Sequence, residues 1–238
     1  MNQVFGMQME LMNIAFKHGM SYPRWQTVNT TFIEKEPGKP YLHHMRTINI
    51  YESDLNLGIK IIWARRMMWN AEENMLFAEG QWGGRAGKSA IEAIIEKQMT
   101  YDYAHRTLTE SMHNENDASN CYDREIPSHI MLCSRAFGVP KNSCIAFGKT
   151  LERSKYHVNT KTGKSEEYYS HSLRPTFGIG QGNSGAGPGW GVVSSGLFDI
   201  MEKGENGAMY THLEKKTTRE QSMWMTRVST YRRCMGIT

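Results

Sequence analysis

Apolar residues change period several times along the chain, and each change marks an element. The alternation of Ile48 and Ile50 predicts a short strand, and from Asn56 to Phe77 the spacing becomes helical. In that second stretch Ile59 and Ile62 share one face while Leu57, Ile61, Ala64 and Met68 share the adjoining one, which predicts a helix of several turns. A glycine-rich connection, 80–87, follows. Ser89 and Glu92 then form a capping-box pattern ahead of Ile91, Ile94 and Ile95, placing a helix start near Ser89. Ser128 to Phe137 reads as another helix, stopped by Gly138 with Pro140 just beyond. Lys155 to Val158 and Tyr168 to Ser170 flank the turn residues Thr160 to Gly163 as a hairpin. A second glycine-rich loop, Gly178 to Gly189, leads into a helix from Val192 to Met201, ending before Gly204. Residues 1–40 show no sustained period and close on Pro37, Gly38 and Pro40, so they read as an extension. The pattern is α+β, with helices dominant in the first half and no internal repeat.

Composition narrows the class only slightly. A chain of 238 residues accommodates one large domain or two small ones. Hydrophobic and charged fractions of 39% and 22% are a little low, which argues for modest stability. A net charge of +4 suits a partner that carries phosphates without requiring one. Cys121, Cys133, Cys144 and Cys234 form no CxxC pair and read as free thiols. No leader pattern opens the chain, and no stretch approaches the roughly 18 apolar residues of a membrane span, so the expectation is an intracellular protein. His43 and His44 lack metal-site spacing and read as surface or packing residues.

Three segments carry candidate chemistry. In the first, Asp117-Ala118-Ser-Asn-Cys-Tyr122-Asp123-Arg124, a carboxylate is followed by an aromatic ring five residues on. A polymerase holds two divalent metals about 4 Å apart with hard oxygen ligands, and such an Asp supplies one while the ring packs on the incoming sugar. Taken alone, an acidic turn with a buried Tyr fits as well. In the second, Phe177-Gly-Ile-Gly180-Gln181-Gly182-Asn-Ser-Gly185, glycines let the backbone approach a flat partner such as a template base, with Gln181 as a two-sided hydrogen-bonding handle. A flexible surface loop is the plainer reading. Gly180, Gly182 and Gly185 also fit a dinucleotide fingerprint, but no clear βαβ unit surrounds them and Pro188 falls where the helix should begin. The third segment runs from Met45-Arg46 through Asn56 to Lys60, Arg65 and Arg66, then to Gln81 and Arg85, with basic groups for a triphosphate. Gly83 to Ser89 comes close to a phosphate loop, but its glycines are too close together and no apolar strand precedes it.

The order of these segments is more specific than any one of them. From about Arg46 to Glu202 the chain resembles the reverse transcriptases of non-LTR retrotransposons. The resemblance implies right-hand polymerase fingers and a partial palm, an RRM-like antiparallel sheet with packed helices, and no thumb. On that scheme 1–40 is an N-terminal extension, 41–110 fingers-like, 111–222 a partial palm and 223–238 an out-of-family tail. It implies that Asp117 is the first metal-binding Asp, with the Ala118 carbonyl as a further ligand. Tyr122 screens the sugar 2′ position, and Arg46 contacts the triphosphate. Gln181, between Gly180 and Gly182, lies by template and nucleotide, while Gln81 and Arg85 stand on the template side. The implied partners are an RNA template, a DNA primer and deoxynucleotide triphosphates, with magnesium or manganese as cofactor. Asp117, Tyr122 and Gln181 should then meet around one cleft, with Arg46 on its opposite wall.

Two departures qualify this. Residues 110–116 are almost all polar where the family places a buried strand. The family's aromatic-x-Asp-Asp turn is missing, and no Asp follows Asp199. Met223-Trp224-Met225-Thr226 stands about forty residues beyond Gly182, where that turn belongs. Met and Trp have single codons, so these residues are written ATG TGG ATG ACN. One nucleotide back, the bases read NAT GTG GAT GAC, which is Tyr-Val-Asp-Asp when the Ser222 codon ends in T. A frameshift between roughly Glu202 and Met223 accounts for the loss. Two functional classes stay open: a reverse transcriptase-like enzyme impaired by the missing pair, or a decayed retroelement fragment that at most binds nucleic acid.

Overall fold

The computed structural model describes residues 2–39, 41–108, 121–173 and 178–203. By internal contacts the chain divides into two units, residues 1–74 with 122–190 and residues 75–121 with 191–238. This division interleaves segments that the sequence scheme separated at 40, 110 and 222.

The first unit is α+β. A helix α1 (Asn2–His18) leads into β1 (Thr27–Glu34) and β2 (Met45–Ile50). The supposed extension thus supplies a helix and a strand. A continuous helical rod then runs through α2 (Ser53–Ile59), a π-helical stretch (Lys60–Met67) and α3 (Met68–Glu73). Its buried apolar side chains are Leu55, Ile59, Trp63, Met67 and Ala71, spaced strictly by four. In a regular α-helix that spacing drifts about 40° per step. The wider π turn takes up the drift and keeps the stripe on the core. The faces read from the sequence shift accordingly: Ile59 is core, while Leu57 is exposed and Ile62 half-buried. Trp63 donates its indole N–H to Ser134 Oγ at 3.0 Å and meets the Phe147 ring edge-on. At Gly58, a Cβ would stand 2.3 Å from the Phe16 ring, so the missing side chain is what lets α1 pack there.

The remaining first-unit helices are α5 (Cys121–Arg124), α6 (Pro127–Ala136) and α7 (Lys141–Arg153). Gly138, in the left-handed region, separates α6 from α7. The sequence reading passed over α7, although it buries Cys144, Ala146, Phe147 and Leu151. The expected hairpin is present as β3 (Lys155–Thr160) and β4 (Gly163–Ser170). The sheet order is β2-β1-β3-β4. Val28 pairs with Tyr156 in parallel, while the outer pairs are antiparallel, so the sheet is mixed and not purely antiparallel. The crossover arises because β2 and the helices that follow it, up to α7, intervene in sequence between β1 and β3. The alternation on β2 is also inverted: Asn49 is buried and Ile50 half-exposed. Thr30 Oγ1 donates to Asn49 Oδ1 at 3.0 Å, which satisfies the buried amide oxygen.

In the second unit, α4 (Ala90–Thr107) begins at the capping box: Ser89 Oγ accepts the Glu92 N–H while Glu92 accepts the Ser89 N–H. Ser89→Ala should lower the thermal stability of this unit by about 1 kcal/mol, measured by melting. A change under a few tenths would mean that the cap contributes nothing. The isoleucines after the cap, Ile91, Ile94 and Ile95, lie on the exposed side of α4, and Thr100 and Ala104 on the buried one. The last described helix, α8 (Ala186–Lys203), begins inside the second glycine-rich loop, earlier than its sequence pattern implies. No helix among the described residues is long and apolar enough to cross a membrane.

Candidate functional site

The glycine-rich loop before α8 is held on two sides. Gly178 N–H donates to the Glu125 carbonyl at 2.6 Å and Ile179 N–H to the Tyr122 carbonyl at 2.8 Å, so the loop runs along the segment that carries Tyr122. Gln181 N–H donates to the Asp123 carboxylate. On the other side, Asn49 N–H donates to the Gln181 carbonyl at 2.7 Å. The Gln181 backbone is therefore clamped between α5 and β2. Its side chain is half-buried, and no hydrogen bond among the described residues uses its amide.

Two glycines make the close approach possible. A Cβ on Gly180 would lie 2.3 Å from Tyr51 Oη, and one on Gly182 2.3 Å from the Asn49 carbonyl oxygen. Both have positive φ, where side chains are strained regardless of space. The loop closes through Asn183, which donates to the Ile179 and Gly180 carbonyls and accepts Gly185 N–H at 2.7 Å. Asn56 Oδ1 accepts Ser184 N–H at 2.7 Å, tying the loop to α2. Beneath it, Tyr51 and Tyr156 face each other at 3.5 Å between hydroxyls, and burial first of all pushes both phenols up. They stay neutral donors under the loop.

Of the sequence-predicted residues, Tyr122, Gly180, Gln181 and Gly182 are thus brought together. Arg46 is exposed on β2, paired with Ile33, on the strand whose Asn49 holds Gln181. Asp117 and Ala118 lie outside the described residues, as do Phe177 and the tail from Gly204. Gln81 and Arg85 belong to the second unit. Gln81 is buried, with Oε1 accepting from Ser194 Oγ at 2.9 Å and Nε2 donating to the Gly83 carbonyl at 3.0 Å. Arg85 donates to the Gln81 carbonyl and lies over the Phe77 ring. Gln81 therefore ties its loop to α8, and Arg85 braces the loop itself.

Sequence reasoning gave no role to Asn49, Tyr51, Asp123 or Glu125. Asn49 is hidden in the sequence between two isoleucines, and Asp123 carries no signal there beyond its place beside Tyr122. Glu125 is the site's electrostatic anomaly: it is buried, neither carboxylate oxygen has a hydrogen-bond partner among the described residues, and burial pushes its pKa up to about 8. No group of three ligating His, Cys, Asp or Glu side chains occurs among the described residues. No protein-family model matches the chain, and no curated protein matches it.

Proposed function

We propose that this chain is a reverse transcriptase-like module, built for template-directed DNA synthesis on RNA and inactive in its present reading frame. The observation that carries the reading is the hydrogen-bonded union of the Tyr122 segment with the Gly180-Gln181-Gly182 loop. These segments are far apart in sequence, and a polymerase needs an aromatic sugar gate and a template-side amide at one place. In this reading the free Gln181 amide meets the template and incoming nucleotide, the Tyr122 ring screens the sugar, and Arg46 contacts the triphosphate. Magnesium, when bound, would activate the primer hydroxyl and steady the leaving pyrophosphate. The donor set does not fit a metal pair: Asp117 is the carboxylate available for it, Asp123 accepts Gln181 N–H, and the family's Asp pair is lacking.

Primer extension on an RNA template, with magnesium or manganese, tests the proposal. The chain as given should bind RNA in a salt-sensitive way and show no extension. A version reading Tyr-Val-Asp-Asp at Met223–Thr226, continued in that frame, should extend the primer. Asp117→Asn in that version should abolish extension while RNA binding persists, and Tyr122→Ala should relax discrimination against ribonucleotides. A coding sequence whose Ser222 codon ends in C, A or G would remove the Tyr, and an alternative frame that does not continue as palm and thumb sequence would remove the frameshift. Extension by the unaltered chain would overturn the assignment of inactivity. Salt-sensitive RNA binding with no extension even after frame restoration would favour the decayed, binding-only fragment.

A further inference from the structure

Away from the glycine loop, the first unit carries a groove of about 1170 Å³ between α1, the π stretch with α3, and the turn joining α6 to α7. Its floor and walls are apolar, with Met9, Met12, Phe16, Ile62, Met67 and Val139. Both sides are pinned. Asn142 Nδ2 donates to the Lys17 carbonyl at 2.7 Å, tying α7 to α1, and Asn70 Nδ2 donates to the Phe137 carbonyl at 3.2 Å, tying α3 to the α6–α7 turn. The groove is therefore preformed.

Three features define what fits it. Its volume lies just above the roughly 300–1,000 Å³ of small-ligand pockets, which leaves room for several side chains of one helix. Half-buried Met9, Ile61 and Ile62, above a buried floor, give the apolar surface that receives helix side chains. Its charge is one-sided: Lys17, Arg66 and Lys141 are exposed on the rim, and no Asp or Glu is among the described lining residues. The amino end of α7 opens at the same place, with no side chain capping it, and adds the positive pole of a 13-residue helix. An exposed Trp69 stands at the edge as an anchor.

We propose that this groove docks an acidic amphipathic helix of a partner protein. The helix lays its apolar stripe along Met9, Ile61, Ile62 and Trp69, and its carboxylates meet Lys17, Arg66, Lys141 and the α7 amino end. Single-stranded RNA shares the charge but does not use an apolar bed of this extent. The proposal stands independently of the polymerase reading.

The probe is a labelled synthetic helix with leucines at i, i+3, i+4 and i+7 and glutamates elsewhere, titrated into the full chain by fluorescence anisotropy. A lysine-for-glutamate counterpart and a single-stranded RNA serve as competitors. The acidic helix should bind, and the lysine counterpart should not. Lys17→Glu with Lys141→Glu should weaken binding at least about tenfold, and Trp69→Ala severalfold, with melting temperatures unchanged because all three side chains are exposed. Absence of binding, equal binding of the lysine helix, or binding indifferent to these substitutions would overturn the proposal. So would displacement by RNA that depends on the same residues, which would make the groove a nucleic-acid surface.

Discussion

Gly182→Ala should destabilise the first unit by about 3 kcal/mol or more, seen as a lowered denaturation midpoint. Gly182 has φ +124°, a region essentially restricted to glycine, where another residue costs on the order of 1–3 kcal/mol. The added Cβ would also lie 2.3 Å from the Asn49 carbonyl oxygen, which is backbone and can give way only if β2 moves. The two costs fall on one contact, so relieving the clash also breaks the Asn49-to-Gln181 hydrogen bond. Gly187→Ala is the matched control. Its Cβ would meet nothing within 4 Å, it lies inside α8, and alanine there should be neutral or stabilising by up to about 1 kcal/mol. Equal effects at the two glycines would mean that the loop is not clamped as described. Hydrogen exchange at the Asn49 amide reads the same contact locally and should quicken in Gly182→Ala alone.

The second large effect concerns pH. Glu125 is 7% exposed with both oxygens unpartnered among the described residues, and burial pushes its pKa from 4.5 to about 8. The folded chain therefore holds a proton between these values that the unfolded chain releases. Stability contributed this way is complete below about pH 4.5, falls as pH rises toward 8, and levels off above it, an acid with a raised pKa being least content when ionised. The loss is on the order of a few kcal/mol. Glu125→Gln cannot ionise, so its stability should stay nearly flat over that window and exceed the parent's at pH 8.5, with the curves crossing at lower pH. Parallel curves would show that Glu125 does not titrate in the fold. Cys133 offers a second readout: burial and then the Glu125 charge raise its thiol, so at pH 8.5 alkylation of Cys133 should be faster in the Gln variant.

The elements that were legible in the sequence are those with local chemistry. The capping box at Ser89, the stop at Gly138 and the hairpin turn at Thr160–Gly163 are decided within a few residues, and all three are present. What was not legible depends on distant partners. The π stretch is invisible to a helical period, because its cause is a core stripe spaced by four that only tertiary packing selects. The exposed isoleucines of α4 and the buried Asn49 reverse ordinary polarity rules, and Asn49 does so because Thr30 and Gln181 complete its hydrogen bonds. For the candidate site, the glycines and Gln181 announced themselves by composition. Their clamp did not, since Asp123, Asn49 and Tyr51 are unremarkable residues until the loop is laid against them. Asp54 is similar: it read as one charge in a mixed segment, yet it is buried, pairs with Arg24 and accepts the Trp25 indole N–H at 3.0 Å.

The parallel pairing of β1 with β3 constrains how the chain is made as well as how it stands. Val28 leaves the ribosome long before Tyr156, its partner, and at about 5–20 residues per second the interval is on the order of ten seconds. Throughout that time β1 has β2 on one edge and open backbone N–H and C=O groups on the other. An open edge is a template for another nascent chain. The first half of the protein is therefore an aggregation hazard during its own synthesis, and messages cut short before codon 160 should yield chains that coalesce where the longer product does not.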